Sequence, residues 1–225
     1  MFSSEAAHNT PFSKDPLSIF CAAVMLLGCI LSALSKICKW DWRVQYFGLG
    51  AFYVGSFSLL GIIPLLCVVL YSYLSMRVRL CLLLTYSSVA IWWCWRFVRC
   101  YRKIMTDEKW HGRIYVEDND AVYYLQKNDT WVLNNVFKLR QIPPVALFIS
   151  MFSFGFIVFP FAGIVSSSIG VHAMYIFMVA SFFPFVLMSL GLMTRGYLIY
   201  YYYPRKIKEK NRKDIYIDMA SKTLP

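Results

Sequence analysis

Apolar positions in this chain come in five long blocks, of which all but the short third, 80–95, are long enough to cross a bilayer. Residues 17–35, 47–71, 80–95, 145–165 and 175–193 are almost wholly hydrophobic. A helix rises about 1.5 Å per residue and needs about 20 such residues to cross the hydrocarbon. The pattern therefore predicts an all-α integral membrane helix bundle of about five transmembrane helices. Polar residues gather at the block ends. Lys36, Lys39 and Arg43 interleave with Trp40 and Trp42, while Trp92, Trp93 and Trp95 precede Arg96. Tyr197 and Tyr200 to Tyr203 follow Arg195. Mixed aromatic and basic residues form the collars found where helices leave a membrane. Pro64, Pro160 and Pro184 fall inside the blocks and are candidate kinks, because proline withholds a helical hydrogen bond. Ala51 and Gly55, one turn apart, are candidates for close helix packing.

One long polar island, 99–142, separates the third block from the fourth. Residues 97–111 read as a helix leaving the membrane. From Gly112 the period changes to two. Residues 113–117 alternate, Asp118-Asn119-Asp120 is a turn, and 121–126 are rich in Val and Tyr. Lys127-Asn128-Asp129 reads as a second turn, and 130–137 resume with Trp131, Val132 and Val136. Alternation bounded by Asn/Asp turns predicts a small β-meander of three strands. Such strands bury little alone. Residues 214–218 (Asp-Ile-Tyr-Ile-Asp) alternate as well and are expected to add a strand to the island. The expected plan is a flexible 1–16, spans one to three within 17–98, the helix-plus-meander island at 99–142, spans four and five within 143–203, and a basic tail at 204–225.

Composition sharpens this picture. The chain is 59% hydrophobic and 16% charged, where an average soluble domain is about a quarter charged. The net charge of +11 would on a soluble protein raise the question of nucleic acid. Here the basic residues crowd the block ends and the tail, where positive-inside topology and anionic lipid account for them. No nucleic-acid partner is expected. Arg205, Lys206, Lys208, Lys210, Arg212 and Lys213 are the candidate contacts with anionic headgroups. The same rule places the 36–46 loop, the island and the tail in the cytoplasm and the N-terminus outside. Arg77 and Arg79, between the second and third blocks, run against it; a re-entrant pair there would move the N-terminus inside. The membrane expected is a bacterial inner membrane or, alternatively, the endoplasmic reticulum. The seven cysteines form no CxxC pair and mostly lie in apolar runs, so they read as buried apolar residues rather than a disulfide framework.

Catalysis finds few footholds. The five blocks contain no Asp, Glu, Lys or Arg, and no acidic residue lies between Asp41 and Asp107. That excludes paired intramembrane aspartates, acidic metal clusters in the spans and a carboxylate proton carrier. Glu108 and His111 have the Glu-x-x-His spacing of a metal-binding helix but lack the second copy such sites use, so a solvated helix face is expected. An interfacial lipid-modifying enzyme would need Asp107, Glu108 and His111 to converge with other polar groups. No catalytic residue, metal or cofactor is assigned. Ser150, Ser153, Thr85, Ser87 and Ser88 could line a pore, or could be helix-packing contacts. Asn128-Asp129-Thr130 is a formal glycosylation sequon, placed by the charge rule in the cytoplasm.

The remaining resource is surface. Trp110, Tyr115, Tyr123, Tyr124 and Trp131 stand among charges of both signs, the composition of protein-contact hot spots; alternatively they form the meander's own core. In general build (short, polytopic, basic and free of catalytic motifs) the chain is similar to small bacterial accessory membrane proteins. These include immunity proteins against pore-forming toxins and the exclusion proteins of conjugative systems. The expectation is a non-enzymatic protein acting by protein–protein contact, with a membrane or cytoplasmic protein partner. A small channel or facilitator is the alternative, and the interfacial enzyme is third. A homo-oligomer is compatible with each.

Overall fold

The computed structural model describes residues 54–218 and, ahead of them, residues 19, 20, 22–24, 26, 27 and 30, which are helical. The expected flexible segment 1–16, most of the first apolar block, the 36–46 collar, Ala51 and residues 219–225 lie outside the described residues. In chain order the elements begin with helices α1 (Leu59–Tyr71), α2 (Met76–Thr106) and α3 (Glu108–Ile114). Strands β1 (Tyr115–Glu117) and β2 (Ala121–Leu125) and helix α4 (Gln126–Trp131) follow. Then come α5 (Val145–Val158), α6 (Ala162–Ile169), α7 (Ala173–Tyr197), α8 (Tyr203–Asn211) and strand β3 (Asp214–Asp218).

Among the described residues three helices are long and apolar enough to cross a membrane: Val54–Tyr71, Met76–Thr106 and Ala173–Asn211. A fourth exists if Val145–Val158 and Gly163–Ile169, which meet at 90°, form one broken span. Two helices outrun their apolar blocks. α2 continues past the tryptophan belt because its arginines have somewhere to lie: Arg96 sits over the Trp93 ring at 4.9 Å and Arg99 over Trp95 at 5.2 Å. Such cation–ring contacts let a charged helix end remain against apolar surface. The last helix runs on through a wide π turn, Leu198–Tyr202, into α8.

The chain clusters into two units. Of the described residues, the first comprises those within 19–30 together with 56–92 and 143–190. There α1 comes so close to its neighbours that a Cβ on Gly61 would strike Val186 and the Tyr86 hydroxyl. Phenylalanines fill the space between α5 and α7: Phe148 and Phe152 meet Phe185 edge-on at 5.3 and 6.3 Å. Arg79 donates to the carbonyls of Leu74 at 2.9 Å and Val69 at 3.2 Å, which closes the open C-terminal end of α1. Of the three prolines, Pro160 stands in the tight turn Phe159–Phe161 at the 90° bend. Pro64 and Pro184 lie inside continuous helices.

The second unit comprises, of the described residues, 54–55, 93–142 and 191–218. Phe97, Tyr101 and Ile104 recur at helical spacing on α2 and are buried with Ile114, Val122, Leu133 and Ile199, as one apolar stripe requires. The expected meander is corrected in its third strand. β1 and β2 pair antiparallel, with Tyr115 opposite Tyr124, but 130–137 is helical: α4 runs into a π turn at Val132–Val136. The third strand is the tail. β3 pairs with β2 in parallel, Val122 opposite Ile215 and Tyr123 opposite Tyr216, giving the order β1-β2-β3. With both edges of β2 taken, the Val-rich 130–137 segment has no place beside it and buries Val132 and Leu133 from a helical turn instead.

Candidate functional site

The polar centre of the second unit is a carboxylate that sequence reasoning did not single out. Asp129, on α4, has no exposed surface. It accepts from the Tyr101 hydroxyl at 2.9 and 3.0 Å, from Tyr124 at 2.8 Å and from Arg195 Nη2 at 2.6 Å. Arg195 also donates through Nε to the Tyr101 oxygen at 3.0 Å and through Nη2 to Thr130 at 3.1 Å. Four elements meet there: α2, β2, α4 and α7. A buried ion pair is tolerable when its remaining lone pairs are satisfied, as they are here. The Tyr124 hydroxyl is pushed well above its ordinary range by burial and then by Asp129, so it remains a donor. The carboxylate is closed to solvent, and the cluster ties the four elements together as a latch.

The island aromatics separate into two groups. Tyr115 and Tyr124, candidate partner contacts on sequence grounds, are corrected to core. Both are buried, and their rings meet at 5.4 Å. Tyr115 donates to the Ile199 carbonyl at 2.9 Å. In a π turn that carbonyl would take the amide five residues on, but Pro204 has none. Tyr123 and Trp131 are exposed, and Trp110 is half-buried. Tyr123 lies beside Tyr216 of the tail strand, centroids 6.2 Å apart, with Val116 opposite on its other side. One row, Val116–Tyr123–Tyr216, thus crosses the outer face of the sheet. Trp131 carries the Arg113 guanidinium over its ring at 4.3 Å. Gly55 lies against Met193, where an added Cβ would collide.

The tail cations also divide. Arg205 pairs with Glu209 at 3.0 Å, Lys208 with Asp214 at 2.6 Å and Lys213 with Glu117 at 2.9 Å. Arg212 takes the left-handed conformation that ends α8. Lys206 and Lys210 instead line a cleft of about 710 Å³ between the ends of α2 and α8, with Arg102, Met105, Glu108 and His111 among its other walls. His111 stacks on Tyr115 at 5.7 Å. Burial, and then Lys210, hold the His111 pKa below its ordinary value. Asp107 is spent elsewhere, accepting from the Lys109 amide at 3.0 Å to cap α3. Glu108 and His111 thus share the cleft while Asp107 caps α3, and among the described residues no three His, Cys, Asp or Glu side chains gather as a metal set. The sequon amide of Asn128 donates to the Arg113 carbonyl at 2.8 Å. No protein-family model, curated protein or solved structure matches the chain.

Proposed function

We propose that this is a non-enzymatic, multi-pass membrane protein that acts by protein–protein contact, using the sheet face of its second unit as the docking surface. The observation that carries the reading is the row Val116–Tyr123–Tyr216. Tyr123 and Tyr216, on neighbouring strands, remain exposed beside each other. Exposed tyrosines on rigid strands give large contact area at low entropic cost, the property of interface anchors. Trp131 with Arg113 adds a second aromatic–cation pair of the same kind. In general build the chain is similar to toxin-immunity and conjugative exclusion proteins, with no residue motif in common. Positive-inside reasoning assigns this face to the cytoplasm.

Affinity purification from native membranes in gentle detergent tests the reading, comparing the wild type with Tyr123→Ala/Tyr216→Ala and with Trp131→Ala. A single stoichiometric partner is expected with the wild type, and the double variant should weaken its capture at least about tenfold. Undiminished capture by the variants of every partner the wild type retains would overturn the proposal. Tyr124→Ala is not a surface probe, since it breaks the latch.

A further inference from the structure

We propose that the cleft between the ends of α2 and α8 binds the phosphate of an anionic phospholipid headgroup, with Arg102, Lys206 and Lys210 as its ligands. The first ground is which cations are already committed. Arg96 and Arg99 lie on tryptophan rings, and Arg205, Lys208 and Lys213 hold carboxylates. Arg102 and Lys210 have neither kind of partner among the described residues, and Lys206 has only the Tyr202 ring, at 4.7 Å. All three line the same cleft. Lys206 and Lys210 are four residues apart on one helix face, a like-charge pair that costs free energy until an anion lies between them.

Charge and depth then narrow the ligand. Glu117, on the cleft wall, is neutralised by Lys213, so three cations face one unpaired carboxylate, Glu108. The surplus of two positive charges matches a phosphomonoester, which carries about −1.5 to −2. Met105 and Ile207 supply apolar wall beside the cations, suited to the glycerol and upper acyl carbons of a lipid. Arg102 lies seven residues beyond Trp95 on the continuous helix α2. At 1.5 Å per residue that is about 10 Å past an interfacial tryptophan, the depth of the headgroup layer.

Free phosphate shares the chemistry, and the experiment separates the two sources. The full-length protein in a neutral detergent is titrated at fixed ionic strength, with binding read by calorimetry. The probes are short-chain phosphatidic acid, phosphatidylglycerol, phosphatidylcholine and inorganic phosphate. Phosphatidic acid should saturate a single site more tightly than phosphatidylglycerol, with phosphatidylcholine inert. Arg102→Gln, and separately Lys206→Gln/Lys210→Gln on the other helix, should each weaken it at least about tenfold while leaving thermal unfolding unchanged. Arg205→Gln removes a charge from the same helix outside the cleft and should change affinity less than about twofold. Weakening by Arg205→Gln equal to that of the cleft variants would reduce the effect to diffuse attraction and overturn the site. Inorganic phosphate binding as tightly as the lipid, with Met105→Ser without effect, would overturn the lipid assignment in favour of a soluble anion.

Discussion

A carboxylate with no exposed surface is tolerated only where its neighbours replace the hydrogen bonds of water. Asp129 has Tyr101, Tyr124 and Arg195 for this purpose, and Arg195 is itself largely buried. Either charge left alone in that setting is far worse than the pair. Asp129→Asn and Arg195→Met should each cost about 3–5 kcal/mol, read as a shift of the denaturant midpoint of the detergent-solubilised protein. The double variant should cost less than the two single effects together; simple additivity would show that the two side chains do not depend on each other. Little of this was legible in the sequence. Asp129 follows Lys127-Asn128 and reads as a turn residue, and Arg195 follows an apolar block and reads as an interfacial anchor. Neither stands out by its neighbours, since Asp129 lies between Asn128 and Thr130 and Arg195 between Thr194 and Gly196. Pairing them takes a fold that brings together positions 66 residues apart.

At the scale of elements, the tail strand is what completes the sheet. Two short antiparallel strands are marginal alone, and β3 covers the second edge of β2 with five residues in register. Deleting residues 214–225 should make 113–137 rapidly cleavable by protease in detergent while the apolar helices resist. An unchanged digestion pattern would show that the island stands without the tail. Here the sequence was partly readable. Alternation marked 113–117 and 214–218 and Val/Tyr content marked 121–126, close to the observed strands 115–117, 121–125 and 214–218, because a half-buried strand shows period two. It could not say that Tyr124 points inward and Tyr123 outward, since both are tyrosines. Nor could it place 130–137, whose Trp and Val content suits a strand but whose neighbours leave no edge free, so packing overrode propensity. The apolar blocks identified the long helices, yet not their ends, because α2 and α7 run on beyond the blocks where rings or partners receive the charges.

For the whole molecule, the β2–β3 pairing settles a matter of parity within the membrane reading. Strands that share hydrogen bonds lie on the same side of a bilayer, so the chain between Leu125 and Asp214 crosses an even number of times. The helix Ala173–Asn211 supplies one crossing. Within that reading the pairing predicts that the bent pair Val145–Val158 and Gly163–Ile169 crosses as a broken span rather than folding back as a re-entrant hairpin. On a cysteine-free background, Asn119→Cys and Lys127→Cys should react with an impermeant thiol reagent from one side and Ser168→Cys from the other. Reaction of Ser168→Cys from the same side as Asn119→Cys would contradict the pairing. The order of synthesis adds a further consequence. With that topology β2 leaves the ribosome two crossings before β3, so a half-made chain carries an open strand edge and an Asp129 without its Arg195 partner. Both defects are mended by the same late segment, which arrives on the correct side only if the intervening helices have been threaded properly. A misinserted copy is left with an unpaired edge, the feature by which strands stick to foreign chains, and in this way the finished sheet certifies the insertion that preceded it.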